Sequence, residues 1–435
     1  MEKKFNTTGL CIPQYHYMVD ISEKLKAIEK MIEAGYYFTI NRSRQYGKTT
    51  TLEALRMSLR DKYVVLFVSF EGLGTASFCE EAVFVKVFLK YLVIPELETQ
   101  NVDFRQSIQA MKNIMNGPEE ECHLVELSRQ LTDMCSISPK PIVLMIDEVD
   151  SASNNQVFLD FLAILRSQYL KRNRMPAFQS VILAGIYDIR NLKRKLRSEE
   201  EHKYNSPWNI AADFDVDMSF SARDISSMLK EYEADHHTGM DMEAVSREMY
   251  DYTGGYPYLV SRICQLLDTK ICNMKGFEEP SKLWTEEGIA QAVKVLLNES
   301  NTLFDDLRKK MEDYPDLRKL LSEMLFQGST FPYNRYSVLI DMGTMFRFFK
   351  DSNGTLMVAN RIFETWMYNL FLSDEMVGNA VYQVGLQDKN MFIKDDRLNM
   401  LAVLEKFVKH FSEIYGENDT KFIEENGRKI FLLYL

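Results

Sequence analysis

The chain has 435 residues, more than the roughly 250 to 300 at which single hydrophobic cores stop growing, so two to four domains are expected and a one-domain enzyme is excluded. Hydrophobic residues make up 46% and charged residues 26% of it, the balance of a folded globular protein rather than a disordered one. A formal net charge of -11 argues against a general nucleic-acid binder unless basic residues gather on one face.

The six cysteines, Cys11, Cys79, Cys122, Cys135, Cys264 and Cys272, form no CxxC pair and no ligand spacing with the six histidines. They read as reduced thiols of a cytoplasmic protein. The N-terminal MEKKFNTTGL lacks the apolar core of an export signal, and no stretch approaches the ~18 apolar residues of a membrane span. No membrane partner is expected.

After a turn-rich stretch (6–14), Ile21, Leu25, Ile28 and Ile32 fall at helical spacing, with Asp20 or Ser22 to start the helix and Gly35 to end it. Residues 36–40 (YYFTI) predict a short strand, and Leu52, Leu55 and Leu59 a helix from Thr49. Residues 63–70 (YVVLFVSF) form an apolar run suited to a strand covered on both faces. Helices follow over 78–92, 103–115 and 121–134, a strand over 141–146, a helix over 156–172 and a strand over 180–186. Such alternation predicts a mainly parallel sheet between helices.

Residues 191–201 swing from basic to acidic and read as an exposed helix or loop, and 213–218 read as a last strand. Residues 221 to about 300 read as helical, broken by Thr253-Gly254-Gly255-Tyr256-Pro257. Further helices over 315–340 precede two apolar runs, 345–349 and 355–358, around Asp351-Ser352-Asn353-Gly354, a strong hairpin signal. Helices followed by a hairpin suggest a winged helix.

Residues 42–49 (RSRQYGKT) resemble a Walker A pattern with Arg42 at the first glycine position. The tripeptide Gly47-Lys48-Thr49 lies between a strand and a helix, where backbone amides and a helix N-terminus converge on phosphate. Gly47 would let the backbone approach, Lys48 would neutralise the β- and γ-phosphates, and Thr49 would complete a Mg²⁺ shell. Arg44, Gln45, Tyr46 and Thr50 complete the candidate ATP-binding loop, Thr50 toward the α-phosphate.

Some hundred residues on, PIVLMIDEVD delivers two adjacent carboxylates at a strand's C-terminal end, where open α/β sheets bind ligands. Asp147 is the candidate Mg²⁺ ligand and Glu148 the candidate base for water, with Lys48 also catalytic. The alternative reading of Asp147-Glu148-Val149-Asp150 is a solvated helix start. Tyr187 and Asp188, after the next strand, are either a γ-phosphate sensor or a plain surface turn.

These stretches, with FNTTGLCIPQYHYMVDI, ILAGIYDIRNLK, NSPWNIAADF, TGGYPYLVSRI and VANRIFETWMYNLFL, give the chain a resemblance to the AAA-ATPase-like family of bacterial P-loop proteins. Longer members carry a C-terminal PD-(D/E)XK nuclease-like domain. Within that family an RxRxxGKT loop is usual, so Arg42 does not count against nucleotide binding. The resemblance implies that 15–18, with Tyr17, lie near the adenine. It also implies that Gly255 and Pro257 match the GxP element of STAND-type ATPases, with Arg262 a candidate second sensor. From the residues alone, Arg262 is a surface arginine.

The fold class expected is therefore α/β, a P-loop NTPase core with a mainly parallel sheet, followed by a helical lid and a winged-helix domain. The expected domains are 1–218 (ATPase core), 219–300 (lid), 301–375 (winged helix) and 376–435 (helical tail, the start of a truncated nuclease-like domain). Similar proteins continue past a segment like 421–435 into the nuclease carboxylates, and no such motif is visible in 376–435. The expected function is ATP binding and Mg²⁺-dependent hydrolysis driving a switch, with homo-oligomers and a DNA or protein partner as candidates. The competing reading is an adaptor with a structural nucleotide site, using basic clusters at 170–174 and 190–197. Residues 361–372, apolar at helical spacing, read as core.

Overall fold

Short apolar runs form the strands of the sheet, and the first three of them are each followed along the chain by helices that bury apolar side chains. In the computed structural model, residues 3–118, 122–152, 155–186, 208–327, 329–376, 393–394 and 397–415 are described. Strands β1 (Phe38–Asn41), β2 (Val64–Ser69), β3 (Ile142–Asp147) and β4 (Ser180–Gly185) form one four-stranded sheet in the order β1-β4-β3-β2. All three pairings are parallel, with Asn41 opposite Gly185 and Ser69 opposite Asp147, so the strands end along one edge. Every residue of β3 and β4 is buried, as in parallel sheets covered on both faces.

Helix α1 (Ser22–Glu33) precedes β1, and Gly35 ends it at φ +72°. Gly35 N–H donates to Ile32 O and Tyr36 N–H to Met31 O, the paired bonds of a Schellman stop. Helix α2 (Lys48–Leu59) follows β1 and buries Leu52, Leu55 and Leu59. Between β2 and β3 lie α3 (Glu81–Val87), a π turn, α4 (Ile94–Glu98), α5 (Arg105–Asn116) and α6 (Leu124–Ile137). Helix α7 (Gln156–Lys171) joins β3 to β4. The outer edge of β2 is closed by side chains: Phe67 N–H donates to Glu96 and Gln100 donates to Val65 O. That blocks further strand pairing.

Residues 213–218 are not a strand. The chain does run beside β1, but its backbone pairs only at Ala212, whose N–H donates to Tyr37 O at 2.8 Å. Its side chains alternate between half-buried and exposed, and Phe214 stacks on Phe38 at 5.7 Å. The physical reason for the missing ladder is Arg42, whose guanidinium takes the Val216 carbonyl at 2.9 Å.

The chain divides into two compact units, Met1–Ser246 with Gly255–Trp284, and Arg247–Gly254 with Thr285–Leu435. In the first, α8 (Ala222–His236) starts on a Ser221–Asp224 capping box. Helix α9 (Met242–Thr253) begins there, and α10 (Pro257–Thr269) and α11 (Pro280–Leu283) complete the unit. The passage from the second unit back to the first falls between Gly254 and Gly255, inside the predicted break.

The second unit holds α12 (Glu286–Asn298), α13 (Thr302–Asp313), α14 (Pro315–Phe326), α15 (Val338–Met345), the hairpin β5 (Phe349–Ser352) and β6 (Thr355–Val358), and α16 (Arg361–Met376). Residues 345–348 were expected in the first hairpin strand. They instead end α15 and turn at Arg347 (φ +65°), and β5 starts at Phe349. Ile362, Phe363, Met367, Phe371 and Leu372 are buried, so α16 is core-forming. Beyond it are the two-residue strands β7 (Ile393–Lys394) and β8 (Arg397–Leu398) and helix α17 (Met400–Tyr415). Residues 416–435, and so the tail segment 421–435, lie outside the described residues.

At the hairpin tip Asn353 and Gly354 have φ +51° and +83°, and Asp351 accepts from Gly354 N–H at 2.8 Å. An added Cβ at Gly354 meets nothing within 4 Å, so only backbone strain opposes it. Gly354→Ala should cost about 1 kcal/mol. Thermal unfolding measures it, and an unchanged midpoint would show that the turn does not hold this φ.

Candidate functional site

At the end of β1 the chain turns through Gln45 (φ +55°) and Gly47 (φ +76°) into α2. Left-handed residues just before a helix N-terminus are the backbone pattern found where amides bind anions. Space does not demand glycine at 47, since a Cβ there touches nothing within 4 Å; the positive φ does.

Lys48 is 6% exposed. Its Nζ donates to Arg42 O at 3.0 Å and Ser43 O at 3.2 Å. Burial pushes the ammonium below its ordinary pKa, opposed by Glu148, Asp150 and Asp147. A buried cation under-compensated in this way gains most from an anion placed beside it.

Arg42, in the first-glycine position, is engaged with the 214–216 segment. Its guanidinium binds Asn41 O and Val216 O and lies 5.3 Å over Phe214. Arg44 and Thr49 are exposed, Gln45 is half-buried and Tyr46 is buried.

The motif at the end of β3 meets this loop. Thr49 Oγ1 donates to Asp147 Oδ2 at 2.6 Å, and Glu148 N–H donates to Asp147 Oδ1 at 2.9 Å. Asp147 is 2% exposed. Glu148 adopts φ 53°, ψ 40°, a conformation costing a non-glycine residue on the order of 1 to 3 kcal/mol. Burial raises its pKa above the ordinary 4.5, with Lys48 pulling the other way.

Asp150 is not a solvated helix start. Its Oδ2 accepts from Ile186 N–H at 2.6 Å, tying the β3 turn to the end of β4. A Cβ at Gly185 would lie 2.8 Å from Val149 Cγ2 and 3.0 Å from Asp150, so only glycine fits. Sequence reading missed both residues; the signal was the third acid of DEVD.

The N-terminal segment reaches the same helix start. Cys11 N–H donates to Thr50 Oγ1 at 3.3 Å, which occupies that hydroxyl within the protein. Tyr17 is 3% exposed, with its hydroxyl on Asp235 at 3.0 Å and His236 at 3.1 Å. It packs on Phe5 and Tyr232, both about 5 Å away ring to ring. Its side chain is therefore an anchor for the segment rather than a group presented to solvent.

Pro257 is the first residue of α10, and Arg262 on that helix bonds Gln265, which in turn holds Phe5 O and Thr7. The residue between glycine and proline, Tyr256, was not singled out from the sequence. It is 3% exposed and donates to Arg44 O at 2.6 Å.

Tyr187, Asp188 and 190–197 lie outside the described residues. In the other basic cluster, Lys171, Arg172 and Arg174 are exposed, and the Arg172 guanidinium bonds Gly35 O and lies 4.1 Å over Tyr169. All six cysteines are free thiols. Among the described residues no helix is long and apolar enough to cross a membrane.

The model of the AAA-like domain matches residues 14–290. No curated protein matches the sequence. Among solved structures, a Walker-type ATPase of Pyrococcus abyssi is similar with a TM-score of 0.53 at 14% identity, over 83% of this chain and 99% of that one. At that identity the likeness is one of fold. The ORC2 protein of Aeropyrum pernix in its ADPNP–ADP complexes is further off, with a TM-score of 0.39 at 11% identity over 82% of this chain and 94% of that one. A RuvB mutant of Thermotoga maritima has 0.38 at 11%, over 78% and 92%. With its parallel sheet, its phosphate-type loop and a family match over most of its length, this chain belongs to the AAA-like domain family of P-loop ATPases.

Proposed function

We propose that the chain binds Mg-ATP at the C-terminal ends of its strands and hydrolyses it, working as a nucleotide-driven switch. One observation carries this: the Thr49 hydroxyl and the Asp147 carboxylate, 98 residues apart in sequence, meet at 2.6 Å beside a buried lysine.

In this reading the amides of Arg44–Thr50 cradle the phosphates and Lys48 neutralises them. Two hard oxygens, Thr49 Oγ1 and Asp147 Oδ2, suit Mg²⁺, which takes one or two carboxylates plus phosphate oxygens and water rather than an all-protein cage. The ion would neutralise charge on the transferred phosphoryl group. Glu148 would take the proton of the attacking water.

The adenine would lie against the backbone of 15–18 and Pro257, with Tyr17 holding that segment from behind and Arg262 sensing the γ-phosphate. Domains are proposed as 1–218, 219–300, 301–375 and 376–435, the third a winged helix and the protein a cytoplasmic, STAND-like ATPase. The Gly254–Gly255 step would be the hinge. Residues 301–375 carry 11 Asp and Glu against 9 Lys and Arg, and α15, in the position of a recognition helix, has Asp341 and no basic residue. That balance favours a protein partner, a second copy included, over DNA.

Calorimetric titration tests the site. Lys48→Ala should weaken Mg-ATP binding by roughly 100-fold, about 2.7 kcal/mol. Unchanged affinity would sink the assignment. For the switch, solution scattering with and without Mg-ATP should differ in radius of gyration, and identical curves at saturating nucleotide would refute it.

A further inference from the structure

We propose that Tyr256 is a positioning residue of the nucleotide site, acting through Ser43 on Lys48; the inference rests on the nucleotide-binding reading above. The phenol lies at the cap position of α10, 3% exposed, at φ −64° and ψ 117°. Its hydroxyl donates to Arg44 O at 2.6 Å and shares a 3.0 Å hydrogen bond with Ser43 Oγ. Its ring meets the Tyr46 ring edge-on at 4.8 Å and 83°. From the other side, Lys48 Nζ holds Arg42 O and Ser43 O. Residues 42–46 are thereby gripped between an ammonium and a phenol that come from elements more than 200 residues apart.

A loop that binds phosphate through backbone amides works only if those amides already point inward. Ordering such a backbone costs conformational entropy that weakens binding when it is left to the ligand. The phenol pre-orders the loop and keeps Ser43 O under Lys48. The residues flanking Tyr256 fix its aim. Gly255 sits at φ +71° with room for nothing else, because a Cβ would fall 1.9 Å from Phe220 O, and Phe220 N–H donates to Gly255 O at 2.8 Å. Pro257 sets the next φ near −65°. The glycine and the proline of this element therefore serve to direct the tyrosine between them at the loop.

The test compares wild type, Tyr256→Phe, Ser43→Ala and the double variant as full-length chains. Mg-ATP affinity, kcat, KM and the unfolding midpoint without nucleotide are all read. Phe keeps the ring and its packing, so a merely structural tyrosine would move nothing but the midpoint. We expect Tyr256→Phe to weaken binding and raise KM about tenfold, 1.4 kcal/mol, with kcat within a factor of about two of wild type. Ser43→Ala should lose less, and the double variant no more than Tyr256→Phe alone, since both act on one contact. Wild-type affinity and KM in Tyr256→Phe, or fully additive losses, would overturn the proposal while leaving nucleotide binding intact. Should Tyr256→Phe fail to fold, an unchanged affinity in Ser43→Ala overturns it instead. Absence of binding by the wild-type chain would overturn both readings together.

Discussion

Glu148→Gln should slow Mg-ATP hydrolysis by roughly 10² to 10⁴-fold, the range for loss of a general base, while nucleotide affinity stays within about threefold of wild type. The amide keeps the size of the side chain and its left-handed backbone, so what is lost is the proton acceptor. The carboxyl also predicts a pH dependence. Burial raises its pKa above the ordinary 4.5, and only the ionised form accepts a proton, so kcat/KM, which reports the free enzyme, should fall on acidification through a value above 4.5. The residual rate of Glu148→Gln should lack that limb. The sign of linkage runs the other way for stability. A carboxyl raised on folding contributes stability that is fully present below its unfolded pKa and is lost as pH rises through the folded value. The site is thus least favourable to folding in the ionisation state that works. A Gln variant hydrolysing at the wild-type rate would remove Glu148 from the chemistry.

Gly255→Ala should be the most damaging single methyl group in the first unit. A left-handed φ costs a non-glycine residue roughly 1 to 2 kcal/mol, and here the new Cβ would also fall 1.9 Å from the Phe220 carbonyl oxygen, a backbone atom that cannot rotate aside. Relief requires moving the Phe220 strand of chain away and breaking its N–H bond to Gly255 O. A total above about 3 kcal/mol is expected, the range of the named severe mechanisms, or a fall in midpoint of roughly 5 °C or more in a unit of this size. Gly276→Ala is the control, because φ is +97° there but a Cβ meets nothing within 4 Å. It should cost about 1 kcal/mol. Equal shifts in the two variants would show that Phe220 does not press on Gly255.

The sheet was legible from sequence because burial on both faces leaves a plain mark, an uninterrupted apolar run closed by Gly, Pro or charge. All six residues of β3 and of β4 bear it out. The segment 213–218 shows the limit of such reading. Its side chains do alternate, but the carbonyl that would have joined a ladder is taken by a guanidinium from residue 42, and no local pattern encodes a partner 174 residues away. The hairpin shifted for a smaller reason. Its turn is set by Asn353 and Gly354, whereas the start of the first strand is set by where α15 stops.

At the site, Lys48, Thr49, Asp147 and Glu148 were readable as two local motifs, and the structure brings them together. What sequence reading left out is the support around them: Tyr256 on the loop, Asp150 on Ile186, and Arg42 on Val216. Each depends on one long-range hydrogen bond made by a residue type common on any surface. Tyr17 shows the converse, since proximity in the chain to a candidate ligand segment says nothing about which way a ring turns. Here it turns inward, to Asp235 and His236.

The most direct test of the central claim is inorganic phosphate release from ATP by the purified chain, with Mg²⁺ and with chelator, beside Asp147→Asn. Steady release that requires Mg²⁺ and is lost in Asp147→Asn is the predicted result. Release that is indifferent to Mg²⁺ and to Asp147, or a wild-type chain that binds Mg-ATP without turning it over, would contradict the assignment of this site as a hydrolytic one.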